Sequence, residues 1–163
     1  MADTSLNENR LALLIWQTSN LWQSKVRHKL KESQITLNEY LILETIYLLQ
    51  QENINITQQD ICKNASIDRS VVSLRVSKLE EKELILKQQP QDKRSDSLIL
   101  TQAGNALINN IMDNIVEIEN KLFNKLGSEI FNFTNSLKLL LGKKIRIRAK
   151  SVSYTHLRAH ETQ

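Results

Sequence analysis

Ile56-Thr57-Gln58-Gln59-Asp60-Ile61, Ile67-Asp68-Arg69-Ser70-Val71-Val72-Ser73, Leu84-Ile85, Asp92-Lys93-Arg94-Ser95 and Leu100-Thr101-Gln102-Ala103-Gly104 follow one another between residues 56 and 104. Their order decides the fold. Thr57 opens a short helix in the manner of a capping box, with Asp60 where a Glu or Gln is usual. That helix ends near Asn64, Ser66-Ile67-Asp68 forms the turn, and Asp68 or its neighbour caps a second helix reaching about Lys82. Two helices joined so closely have the spacing of a helix-turn-helix. Leu84–Lys87 and Ser97–Leu100 then read as short strands around Pro90, Asp92 and Ser95, which are turn residues.

On the second helix, Val72, Val76 and Leu79 stand at i, i+4 and i+7 and form a stripe for burial. The opposite surface carries Arg69, Ser70, Ser73, Ser77 and Lys78. Small hydroxyls let a helix sit deep in a major groove, and an arginine at its start reaches guanine or backbone. The first helix supports the second and turns its N-terminal amides, at Thr57 to Gln59 and including Gln58, toward phosphate. Lys93 and Arg94 at the hairpin tip suit a narrow minor groove, where negative potential favours arginine. Asp92 is placed to hold Arg94 by a charge-assisted bond. Taken alone, the hairpin also reads as a plain solvated turn.

Outside this stretch the chain is helical. Leu6 to about Leu30 has apolar residues near helical spacing, and Thr36 or Asn38 caps a second helix running to about Gln51. Thr101 caps a long helix whose Leu107, Ile111, Ile115, Ile118, Leu122 and Leu126 make a seam for another helix. That seam is exposed unless it meets a partner, which predicts a dimer interface at Leu107, Ile111, Ile115, Ile118 and Leu122. Gly127 is placed to cap this helix, and a last one carries Ile130, Phe133 and Leu137 to its end at Gly142.

Composition sets the outer bounds. The 163 residues predict one domain with material for a core, and 40% hydrophobic with 25% charged residues is ordinary for a soluble globular chain. No apolar run approaches the roughly 18 to 20 residues of a membrane span, and the start lacks a signal-peptide layout. The single cysteine, Cys62, excludes an intramolecular disulfide and fits a reducing cytoplasm. The formal charge of +4 comes from the end of the chain. Residues 1–142 hold 16 Lys and Arg against 17 Asp and Glu, whereas 143–163 hold 6 against 1. A case for nucleic acid therefore rests on where charges sit and not on their sum. Residues 143–163 have no amphipathic period and read as a non-native or disordered tail, the other reading being a basic arm.

The run from Ile67 to Ser73, then Lys78-Leu79-Glu80-Glu81-Lys82-Glu83-Leu84-Ile85, Asp92-Lys93-Arg94-Ser95 and Leu100 to Gly104 resembles the MarR family of winged-helix transcriptional regulators. The likeness spans about residues 6–142 in element order, with its specific motifs confined to 56–104. It implies a mostly α fold with a small β-hairpin wing, a winged helix-turn-helix carried by an intertwined homodimer. It also implies a repressor bound to pseudo-palindromic operators and released by a small phenolic or other ligand. By position it makes Arg69, Ser70, Ser73 and Lys78 recognition-helix contacts and Arg94 the wing-tip arginine. Residues 1–35 and 101–142 then form the dimerisation region and 36–100 the winged helix-turn-helix. Two departures stand out. The family usually has Gly before the first wing strand, where this chain has Glu83. Leu74-Arg75 also reverses the family's usual basic-then-apolar order, turning Arg75 sideways to phosphate and Leu74 toward a thymine methyl.

Cys62 lies mid-helix between Ile61 and Lys63 and reads as a small core hydrophobe, the sharper alternative being a redox switch. His28 stands without neighbouring ligand types, and no catalytic or phosphate-loop motif occurs, so no metal, cofactor or enzyme activity is expected. The partners expected are double-stranded DNA and a second copy, with no membrane. The alternative is a winged-helix module that binds protein without binding DNA, supported by the near-neutral body.

Overall fold

A computed structural model describes residues 8–52, 55–89 and 96–147. The element order is α1 (Leu11–Leu30), a 3-10 turn (Lys31–Ser33), α2 (Leu37–Leu49), α3 (Gln58–Ala65), α4 (Arg69–Glu81), β1 (Ile85–Gln88), β2 (Ser97–Leu100), α5 (Gln102–Phe123), a 3-10 segment (Asn124–Glu129) and α6 (Ile130–Leu140). Among the described residues, no helix is long and apolar enough to cross a membrane. The chain forms two compact units, Met1–Leu122 and Phe123–Gln163.

The first unit holds the core. Leu37, Tyr40, Ile42, Leu43 and Ile46 of α2 are buried together with Ile61 of α3, Val72, Val76 and Leu79 of α4, Ile85, Leu98 and Leu100 of the hairpin, and Ile108 of α5. Burying so many branched side chains supplies the main driving force for this unit. Local chemistry fixes where the helices begin. Thr36 caps α2 by accepting from the Glu39 amide at 3.1 Å, while its own amide donates to Glu39 Oε1 at 3.0 Å. Thr57 and Asp60 make the same reciprocal pair at the start of α3. Of the two candidates for the α2 cap, Thr36 is the one used. Thr101 starts α5 by accepting from the Gly104 amide at 3.0 Å.

The hairpin is a two-stranded antiparallel sheet with Ile85 opposite Leu100 and Gln88 opposite Ser97. It is tied to the helix-turn-helix by the Leu98 amide, which donates to the Ile56 carbonyl at 2.7 Å. At its base the Thr101 amide donates to the Leu84 carbonyl at 3.0 Å, and the Thr101 hydroxyl donates to the Glu83 carbonyl at 2.7 Å. The hairpin root and the start of α5 are therefore one hydrogen-bonded joint.

Three expectations are corrected. The long first helix starts at Leu11, after a break at Asn9–Arg10, so it is not continuous from the start expected near Leu6, a residue outside the described ones. Gly127 has φ 56 and sits inside the 3-10 segment after α5, not directly on the helix end. The proposed dimer seam is divided: Ile111 is 8% and Ile115 2% exposed, because both join this chain's own core. Tyr47 of α2 donates to Asn109 at 2.9 Å and Gln50 donates to Asn105 at 3.3 Å, which ties α2 to the first half of α5. Heptad-like spacing shows that a stripe is buried, but an internal helix satisfies it as well as a partner does. Leu107, Ile118 and Leu122 remain half-buried.

In the second unit, α6 carries Ile130, Phe133, Leu139 and Leu140 as exposed apolar residues, and Leu141 just after it is exposed as well. Gly142 follows with φ 70, and Asn135 accepts from the Arg146 amide at 3.2 Å while donating to its carbonyl at 2.7 Å.

Candidate nucleic-acid interface

The turn between α3 and α4 is set by Ser66, which adopts a left-handed conformation with φ 53, and by Asp68, extended with ψ 146. Serine tolerates that region less readily than glycine but gives the sharp reversal that brings α4 across α3. Asp68 occupies the N-cap position, yet its side chain makes no capping bond, and the Asp68 carbonyl accepts from the Val72 amide at 2.9 Å.

From there α4 divides into two faces. Val72, Val76 and Leu79 are each 0% exposed and lock the helix onto the core. Arg69, Ser70, Ser73, Leu74, Ser77 and Lys78 are exposed. The structure thus leaves Arg69, Ser70, Ser73, Ser77 and Lys78 exposed, away from the buried stripe of α4. Lys78 reaches Glu81 at 3.6 Å, but both side chains are well exposed, so the pair is weak and leaves the ammonium available.

Thr57 and Arg75 differ from their predicted roles. Thr57's hydroxyl accepts from the Asp60 amide at 3.2 Å and donates to Asp60 Oδ2 at 3.1 Å, and its amide donates to the same carboxylate at 2.9 Å. Its polar groups serve the cap, with a negative charge beside them. Any phosphate at this helix end would meet Gln58 and Gln59 instead, of which Gln58 is half-buried and Gln59 exposed. Arg75 turns inward: its Nη1 lies 3.6 Å from Glu39 Oε2, and the Glu39 side chain is 1% exposed. The group expected to reach sideways to phosphate thus has an internal ion-pair partner here, with 30% of its side chain exposed.

Glu39 is the residue that the sequence did not single out. Its Oε1 accepts from Thr36 N at 3.0 Å and from Lys82 Nζ at 2.9 Å, and Lys82 also donates to the Gln34 carbonyl at 2.9 Å. A buried carboxylate is tolerable only when so supplied with donors. One acid thereby caps α2, braces the end of α4 and occupies Arg75. The Thr36-to-Glu39 spacing was a visible capping signal; the two cations were not, since they come from another helix.

The hairpin rises from Glu83, whose φ is 59. Its amide donates to the Glu80 carbonyl at 2.9 Å and the Leu84 amide to the Leu79 carbonyl at 3.0 Å. These are the two bonds of a Schellman C-cap, normally closed by glycine. The concern raised by Glu83 is therefore realised in the backbone. Lys87 on β1 reaches Glu80 at 3.7 Å. Asp92, Lys93 and Arg94 lie outside the described residues. Cys62 is half-buried and packs against the core, and His28 is exposed on α1. Among the described residues, no cluster of three or more His, Cys, Asp or Glu side chains is arranged to hold a metal ion.

The MarR family model matches residues 35–95, a span that takes in α2, α3, α4 and β1 and ends before β2. A Bacillus subtilis (strain 168) protein described as the uncharacterized HTH-type transcriptional regulator YdcH is 30% identical over 129 residues, covering 78% of this chain and 87% of that protein. Staphylococcus aureus MepR, solved as a DNA complex, superposes with a TM-score of 0.74 at 26% identity, over 83% of this chain and 97% of that one. A mutant of E. coli MarR solved with operator DNA has a TM-score of 0.69 at 19% identity, over 86% and 97%, and supports the winged-helix fold alone. With the helix-turn-helix, the hairpin wing and these likenesses together, the chain belongs to the MarR family.

Proposed function

We propose that the chain is a sequence-specific, double-stranded DNA-binding transcriptional regulator that acts as a homodimer on a pseudo-palindromic operator. The observation that carries this reading is the division of α4. Three fully buried residues fix it to the core, and Arg69, Ser70, Ser73, Ser77 and Lys78 stand exposed on its other side. Such a face offers hydroxyl bonds to base edges and cationic contacts to backbone. The hairpin is bonded to the segment before α3 and so rises beside the reading helix, where Lys93 and Arg94 of its tip would meet the flanking minor groove. MepR, the relative at 26% identity, was solved bound to DNA.

Dimerisation is supported by apolar surface that the chain does not cover. On α1, Leu11 is 74%, Trp16 64% and Ile15 48% exposed, large apolar side chains that a partner would cover. Leu107, Ile118 and Leu122 of α5 extend the candidate interface. The division into a dimerisation region at 1–35 and 101–142 and a reading region at 36–100 follows this scheme. Two heads then address two half-sites about one helical turn apart. Repression, release by a small ligand and a cytoplasmic location come from the family likeness.

Selection of bound duplexes from random DNA at fixed salt tests the proposal. Enrichment of a near-palindrome, followed by a gel shift at that site, is expected. Recovery of unenriched sequence would overturn it and favour the protein-binding module. The near-neutral charge of residues 1–142 makes non-specific attraction a poor mimic of a positive result.

A further inference from the structure

One residue of the reading face does not share its chemistry. Leu74 is 52% exposed on a surface whose other exposed side chains, Arg69, Ser70, Ser73, Ser77, Lys78 and Glu81, are all polar. Positions 70, 73, 74 and 77 follow helical spacing and share one side of α4, so the leucine stands among short hydroxyl side chains and projects beyond them. The adjacent Arg75 does not compete for that place, because Glu39 holds it at 3.6 Å on the inner side of the helix.

We propose that Leu74 is a specificity-determining residue of this face and that it reads the C5-methyl group of a thymine. This rests on the DNA-binding reading above. Among the four bases only thymine presents an apolar group in the major groove, and aliphatic side chains select it by contact. The serines on either side are short enough to let Leu74 approach, and they supply hydrogen bonds to neighbouring base edges or phosphate. Glu39 acts as a positioning residue, since it keeps a guanidinium off the base that Leu74 reads.

The test uses the full chain and the duplex enriched from random DNA. Each thymine is replaced singly by deoxyuridine, which removes the methyl and keeps the pairing edge. The expected result is one thymine per half-site whose replacement weakens wild-type binding about fourfold, the transfer free energy of a single methyl. Leu74→Ala should bind the unmodified site more weakly and be indifferent to that replacement, while both proteins respond alike at every other thymine. Leu74 is exposed, so the variant should keep the wild-type melting temperature. An enriched site without thymine under α4, or equal responses of the two proteins at every thymine, would overturn the proposal while leaving DNA binding intact. Failure of the wild type to bind any enriched duplex would bring down both readings.

Discussion

Lys82 Nζ lies 2.9 Å from Glu39 Oε1, and this ion pair joins the residue just past the last turn of α4 to the first turn of α2. Glu39 is 1% exposed and also holds Arg75, so its charge is matched by two cations that retain partial contact with water. Replacing it with glutamine preserves an acceptor for the Thr36 amide but removes that charge. Because both cations can swing outward, Glu39→Gln should cost about 1 to 2 kcal/mol, less than the roughly 3 to 5 expected for a stranded buried charge. Arg75 is then free to reach phosphate. The salt dependence of operator binding should steepen by about one unit per half-site, and preference for the selected site should fall. Measurement of log K against log salt checks this; an unchanged slope would mean that Glu39 braces the helix without restraining Arg75.

Glu83 closes the Schellman cap of α4 with φ 59, a region in which a β-carbon is crowded. Glu83→Gly should therefore stabilise the chain by about 0.5 to 1 kcal/mol, the relief of strain being partly offset by a more flexible unfolded chain. Urea unfolding should show a higher midpoint at constant m. A lower midpoint would show that the Glu83 side chain has a stabilising role larger than the strain.

Gly104 behaves oppositely. It is buried in the first turn of α5, and a β-carbon there would run into the Leu84 carbonyl, the acceptor for the Thr101 amide. Backbone cannot step aside as a flexible side chain does. Gly104→Ala should destabilise by about 1 to 3 kcal/mol through overpacking. It should also weaken DNA binding beyond the loss of folded protein, because the hairpin root is the part displaced. A variant with wild-type unfolding midpoint and affinity would refute the close approach.

The reading helix was legible because its signals are local. Thr57 and Asp60 mark a start, and the spacing of Val72, Val76 and Leu79 names the buried side whatever lies against it. Glu83 stood out for a different reason, since only the resemblance to a family that has glycine there marked the position. What the sequence did not disclose depends on contacts between distant segments. Glu39 looks like a cap, and nothing near it announces Lys82, 43 residues away. Ile111 and Ile115 look like an intermolecular seam because periodicity reports burial without naming the covering surface. Leu74 and Arg75 are neighbours whose different directions the sequence suggested, but the partner that holds Arg75, Glu39, comes from another helix.

Glu119 on α5 gives the unit a pH response. Burial raises its carboxyl above the ordinary 4.5, and the nearby Glu44 carboxylate pushes it further in the same direction. Glu44 in turn accepts from the Tyr40 hydroxyl at 2.8 Å, and Tyr40 titrates far above its usual range because of burial first and Glu44 second. An acid whose folded pKa is raised holds its proton more tightly in the folded state. Stability therefore falls as pH rises from about 4.5 through the folded value, and the penalty is absent below 4.5. Glu119→Gln removes the ionisation and should stabilise the chain at pH 7. The gain should stay below about 1 kcal/mol, since the burial is only partial and the Glu119 side chain keeps enough contact with water to screen its charge. Unfolding midpoints of wild type and variant should converge as the pH is lowered to 4. An offset that is the same at pH 4 and pH 7 would assign the effect to packing at the α5 surface and not to the Glu44–Glu119 repulsion.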